Sequence, residues 1–140
     1  MGISKGSAQW EGSLKEGRGN MKPAHGSESP FSVASRFETA PSSNPEELIG
    51  AALAGCFSMA LTGSLEKAGF KPQHIRTSAD VKLEKQGEGF AITEIALTTN
   101  AKVDGVDAEK FRAIAEETKK NCPVGKALAS ITITLTAALA

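Results

Sequence analysis

The chain has 140 residues, the size of one domain, so a single domain over 1–140 is expected. Its 16 basic and 16 acidic side chains cancel, which removes the broad field of a nucleic-acid or anionic-membrane binder and favours small neutral partners. The start Met1-Gly2-Ile3-Ser4-Lys5-Gly6-Ser7 has no apolar signal core, so the cytoplasm is the expected address, and two cysteines far apart there suit redox or catalytic work better than a structural disulfide.

Short alternating runs predict strands around Ser7 to Glu11, Gly17 to Lys22 and Phe31 to Glu38, together a small meander. In the third run the period-two rule puts Phe31, Val33, Ser35 and Phe37 on one face and Arg36 on the other. A loop follows through Pro41-Ser42-Ser43, and Asn44 is the predicted N-cap of a helix running to about Lys67 and stopping at Gly69. Pro45 suits its first position, and Glu47 its third, where a carboxylate can reach back as in a capping box.

The middle of that helix, Leu48 to Leu61, is apolar on nearly every face and predicts burial on all sides. The longest uncharged run, Leu48 to Leu65, is broken by glycine, serine and threonine and rich in alanine, too weakly apolar for a convincing bilayer span. Gly50/Ala54 and Ala51/Gly55 stand four apart, which predicts a second helix crossing closely over them. Two strands come next, Ile75 to Lys85 and Phe90 to Val103, joined as a hairpin through Gly87-Glu88-Gly89. Asp107 caps a second helix with Ala108, Phe111, Ile114 and Ala115 at helical spacing, a short helical turn runs from Pro123 to Ala129, and Ile131 to Leu139 is a final strand. The class is α+β, in the order β-β-β-α-β-β-α-β, and an all-round apolar helix in so small a chain predicts a dimer.

On the residues alone, Cys56 is either a small core residue or a nucleophile. Cys122 precedes Pro123 at a helix start, where free amides, the helix dipole and nearby Lys119 and Lys120 would favour a thiolate, and a structural role is equally open to it. No two soft ligands stand at a zinc spacing, and His25 and His74 read as surface or loop residues. No phosphate loop and no Gly-x-Ser-x-Gly elbow is present, so no cofactor or metal is expected and hydrolase or nucleotide chemistry has no support.

The run from Asn44-Pro45-Glu46-Glu47 through Ala54-Gly55-Cys56-Phe57 to Leu61 closely resembles the first cysteine motif of the OsmC/Ohr family, and Asn121-Cys122-Pro123-Val124 resembles its second. Ala8-Gln9-Trp10-Glu11-Gly12, Ser35-Arg36-Phe37-Glu38 and Phe90-Ala91-Ile92-Thr93 are similar to the OsmC branch, so the likeness spans essentially the whole chain. The resemblance implies an intertwined homodimer with two central helices wrapped by antiparallel sheets. It also implies reduction of small organic hydroperoxides, protection against oxidative stress, and an external dithiol reductant of lipoyl type.

Carried over residue by residue, the resemblance makes Cys56 the peroxidatic cysteine and Cys122 the resolving one, with Arg36 and Glu46 as the ion pair beside the thiol. Burial among Leu53, Phe57 and Ala60 disfavours a thiolate unless such a cation is supplied. Ten residues of helix span roughly 15 Å, so Glu46 cannot touch Cys56 in its own straight helix; either Arg36 spans between them or Glu46 comes from the partner chain's antiparallel helix, and the latter, a composite site, is expected. Without the resemblance Arg36 would read as a solvated strand residue, Arg18 is a second candidate cation, and Glu47 reads as a cap. Phe57, Met59 and Phe111 are candidates for an apolar pocket favouring alkyl peroxides. The rival readings are a non-catalytic dimeric stress or binding module and another thiol reaction on the same scaffold.

Overall fold

The computed structural model describes residues 2–140, so that Met1, part of the opening segment considered above, lies outside it. Two compact units divide the chain, one ending at Leu48 and the other running from Ile49 to Ala140.

The first unit holds β1 (Gly6–Glu11), β2 (Arg18–Pro23) and β3 (Ser29–Phe31) in an antiparallel sheet of that order. Gly19 of β2 lies opposite both Trp10 and Phe31. A Cβ there would lie 2.6 Å from the Phe31 ring, so the bare backbone lets the two aromatic rings meet across β2 at 5.4 Å between centroids.

The expected strand from Phe31 to Glu38 does not continue past Phe31. Ser32 caps a short helix, α1 (Val33–Phe37): its hydroxyl accepts the Ser35 amide at 3.1 Å, and Ser35 Oγ accepts the Ser32 amide at 2.8 Å. This reciprocal box satisfies two amides that a helix start leaves open, and it outweighs the strand-like alternation of Phe31, Val33 and Phe37. Arg36 is consequently a helix residue, and its guanidinium lies over the neighbouring Phe37 ring at 5.5 Å instead of facing away from the phenylalanines.

α2 (Pro45–Lys67) begins and ends as its caps predict, with Asn44 Oδ1 accepting the Glu47 amide at 2.9 Å and Gly69 at φ 92° just beyond its last turn. Glu47 does not close a capping box; its carboxylate accepts from the Ser43 hydroxyl at 2.9 Å.

In the second unit β4 (Pro72–Gln86) and β5 (Gly89–Val103) pair as an antiparallel hairpin through Gly87-Glu88, with Gly87 at φ 63° as such a tight turn requires. α3 (Ala108–Asn121), capped by Asp107, and α4 (Pro123–Ala127) then carry the chain to β6 (Thr132–Leu139). The expectation of antiparallel sheets fails for this last strand. β6 lies beside β5 in parallel, because the α3 and α4 connection is long enough to return the chain to the same end of the sheet. The observed order thus adds the short helix α1 to the expected alternation, and α4 is the short helical turn expected after Pro123.

Leu53, Phe57, Leu61 and Leu65 recur every fourth residue on α2 and meet Ile95, Leu97 and Ala101 from alternate positions of β5, with Phe111 and Ala115 of α3 closing the core. Ser58, Thr77 and Thr99 run through it as linked hydroxyls at 2.8 and 3.0 Å, so the buried Thr99 is satisfied.

Burial of α2 on all sides is not found within this chain. The sheet covers one face, while Ala51, Ala52 and Gly55 are exposed and Met59 is 75% exposed. The neighbour that comes close to Gly50 is a strand and not a crossing helix: a Cβ there would lie 3.1 Å from Val81 of β4, whereas Gly55 faces open space. By length and composition alone α2 could cross a bilayer, its most apolar 18-residue stretch having a mean hydropathy of 1.7, a level that the core helix of a globular domain also reaches.

Candidate active site

Cys56 sits in the fourth turn of α2, half-buried, and Cys122 is buried where α3 ends and α4 begins. They are 66 residues apart in sequence, yet their sulfurs lie 2.9 Å apart, with the Cys122 thiol donating toward Cys56. α2 positions the first through its leucine and phenylalanine stripe. The second is held by backbone, since the Cys122 amide donates to the Thr118 carbonyl at 3.0 Å and its own carbonyl accepts from Lys126 at 2.9 Å.

Burial pushes the Cys122 thiol up, and its contact with Cys56 pushes it further; the Gly125 and Val124 amides pull the other way and are outweighed. The expected thiolate-favouring helix start is therefore overturned at Cys122. α4 has only five residues and thus little dipole, and Lys119 is paired with Glu116 at 3.2 Å. Gly125 matters here although no motif reading singled it out. A Cβ at 125 would lie 3.0 Å from the Lys119 carbonyl and 3.8 Å from Cys122 Sγ, so glycine spares the turn beside the sulfur a tight contact with that carbonyl.

Arg36 and Glu46 meet in the first unit, as a pair. Arg36 Nε donates to both carboxylate oxygens at 3.0 and 3.3 Å, and Nη2 to Oε1 at 2.5 Å, with Glu46 buried. A charge-assisted fork of this kind fixes the guanidinium plane and leaves its remaining N–H groups free to meet a polar atom. Asn44 links the two helices that carry the pair: Nδ2 donates to the Ser35 carbonyl of α1 at 3.0 Å while Oδ1 caps α2. The Asn-Pro-Glu run signals the cap, but nothing in it signals the tie to α1.

Beside Arg36 an apolar cleft of about 220 Å³ is lined by Trp10, Leu14, Phe31 and Phe37. The pocket expected from Phe57, Met59 and Phe111 does not form: both phenylalanines are at 0% exposure inside the core, and Met59 stands out from the uncovered face of α2. Arg18 begins β2 opposite Glu11, at the surface. His25 is exposed, but His74 is a half-buried residue of β4 whose Nδ1 is buried without a hydrogen-bond partner, contrary to the loop placement expected for it.

Residues 38–136 match the model of the family described as OsmC-like protein. Over 132 residues the chain is 48% identical to the peroxiredoxin OsmC of Escherichia coli, covering 92% of each. Among solved structures it is similar to an organic hydroperoxide resistance protein from Elizabethkingia anophelis, at 23% identity and a TM-score of 0.74 over 99% of this chain and 97% of that one. The organic hydroperoxide resistance protein of Bacillus subtilis is similar too, at 22% identity and a TM-score of 0.71 over 97% and 98% of the two chains.

Proposed function

The chain belongs to the OsmC family, and on that footing we propose that it is a thiol-dependent peroxidase that reduces organic hydroperoxides to alcohols and protects against oxidative stress. The observation that carries this reading is the 2.9 Å approach of two reduced sulfurs 66 residues apart in sequence. Peroxide-related redox chemistry agrees with the name of the 48% identical relative.

In the first step the Cys56 thiolate attacks the distal peroxide oxygen, the O–O bond breaks, the alkoxide takes up a proton and leaves as alcohol, and Cys56 is left as a sulfenic acid. Cys122 then attacks that sulfur. An S–S bond forms, the S–O bond breaks, and the hydroxide departs as water with the proton that the buried Cys122 thiol has retained. An external dithiol of lipoyl type reduces the disulfide; no metal or bound cofactor enters.

Arg36, oriented by Glu46, is the cation we assign to the Cys56 site, where it stabilises the attacking sulfur anion and orients the peroxide. By the helical-rise argument above, the pair serving one Cys56 comes from a second copy, so the working form is a cytoplasmic homodimer with composite sites. The uncovered apolar face at Ala51, Ala52, Gly55 and Met59 supports a second copy there. The cleft of Trp10, Leu14, Phe31 and Phe37 beside Arg36 suits an alkyl or aryl group and favours organic over hydrogen peroxide.

The test is peroxide consumption with dihydrolipoamide as reductant. Wild type turns over, Cys56→Ser is inactive, and Cys122→Ser accumulates a trappable sulfenic acid without a disulfide. Mass spectrometry of wild type after one equivalent of alkyl hydroperoxide should find the Cys56 to Cys122 disulfide; two unmodified thiols would leave only the non-catalytic module.

A further inference from the structure

Two side-chain bonds join α2 to the segment of α3 and α4. One is the thiol contact, and the other links Ser64 Oγ to Thr118 Oγ1 at 3.1 Å. From the first bond to the second the numbering rises along α2, from 56 to 64, and falls along α3, from 122 to 118, so the helices run past each other in opposite senses. About two turns of α2 and one of α3 lie between the bonds.

Thr118 is buried, and its hydroxyl also bonds the Ile114 carbonyl at 2.8 Å, while its own carbonyl accepts the Cys122 amide at 3.0 Å. A chain of hydrogen bonds thus leads from α2 through Thr118 to the backbone of Cys122. Nothing in the peroxide cycle consumes or moves a proton at this hydroxyl. Valine would fill the same volume without a polar group to satisfy, so packing alone does not call for threonine. What a hydrogen bond adds is direction: apolar contact lets two helices slide, whereas a bond with a preferred length and angle fixes their register.

We propose that the Ser64–Thr118 pair is a positioning device for disulfide closure, holding the last turn of α3 at the depth along α2 where the Cys122 sulfur meets Cys56. The inference deepens the redox reading of the two cysteines and assigns the device to the resolving step, not to peroxide attack. Peroxide attack involves Cys56 alone. Closure requires the Cys122 sulfur at the sulfenic acid before a second peroxide arrives, which would otherwise carry Cys56 to a sulfinic acid while itself being reduced to alcohol. Register along the helices sets the effective concentration of one sulfur at the other.

The experiment is equilibration of the full chain in glutathione redox buffers, with the fraction of Cys56–Cys122 disulfide read by mass spectrometry. In Thr118→Val the effective concentration of the thiol pair falls about three- to tenfold, the worth of one net hydrogen bond. Ser64→Ala gives the same loss, and the double variant no more than either, because the two share one interaction. Thr118→Ser, which keeps the hydroxyl, restores closure. With alkyl hydroperoxide, Thr118→Val forms sulfenic acid at the wild-type rate but yields more sulfinic acid per turnover. Unchanged closure in Thr118→Val, or additive losses in the double variant, would overturn the proposal, and Ser64→Ala reads the same bond should Thr118→Val not fold. No peroxide enters the glutathione measurement, so failure of the peroxidase reading and failure of this one appear separately.

Discussion

At Cys122 the deciding quantity is burial. A thiol taken out of water keeps its proton, and two amides at the start of a five-residue helix do not offset that cost. The reduced protein should therefore lose stability with rising pH. Above the ordinary thiol value of 9.0 the unfolded chain ionises this cysteine while the folded chain holds it protonated; below that value both are protonated and the contribution is intact. Urea midpoints of reduced wild type should fall between about pH 8 and pH 10, and those of Cys122→Ser should fall less, the alcohol having no comparable titration. Equal slopes for the two proteins would show that burial of this thiol is not felt in the folding equilibrium.

Among the elements, α2 was the most legible in the sequence. Asn44, Pro45 and Gly69 carry local signals whose meaning depends only on backbone geometry, and the helix obeys them. α1 was not legible as a helix. Its Ser32-Val33-Ala34-Ser35 box competes with an apolar alternation of period two that is the more conspicuous pattern in the sequence, and the Asn44 amide adds a long-range bond to the Ser35 carbonyl that the local sequence does not announce. The parallel docking of β6 was equally hidden, since strand direction is set by the path of α3 and α4 and leaves no mark on the strand's own residues. For the candidate site, the motifs supplied Cys56, Cys122, Arg36 and Glu46, whereas Gly125 and the second role of Asn44 are long-range contacts that spacing does not encode. Asn44 allows the two roles to be separated. Asn44→Ala should cost about 1–2 kcal/mol in urea denaturation through the lost cap, while Asn44→Asp, which keeps the capping oxygen but not the amide donor, should spare most of that stability and still lower kcat/KM by loosening Arg36.

On the scale of the whole molecule, the uncovered face of α2 and the 23-residue length of that helix make a composite site testable without a structure of the pair. Cys56→Ser and Glu46→Ala chains are each inactive as homodimers under the composite reading. Mixed after mild denaturation and refolding, they should regain about a quarter of wild-type activity, since half the symmetric pairs are then heterodimers with one complete site of two. No recovery on mixing would place all four residues of one site in one chain. The regained activity should also disappear when Met59→Glu puts a charge on the shared face in both chains, because a buried unpaired carboxylate would separate the protomers.

The separation of 66 positions between the two cysteines carries a consequence of its own. A covalent bond there would tie nearly half the chain into one loop, and a loop of that size takes about 4 kcal/mol of freedom from the unfolded ensemble. Each round of peroxide reduction would then alternate between a stapled and an unstapled protein of unequal resistance to heat and proteolysis. The spent form, waiting for its electrons, would be the sturdier of the two.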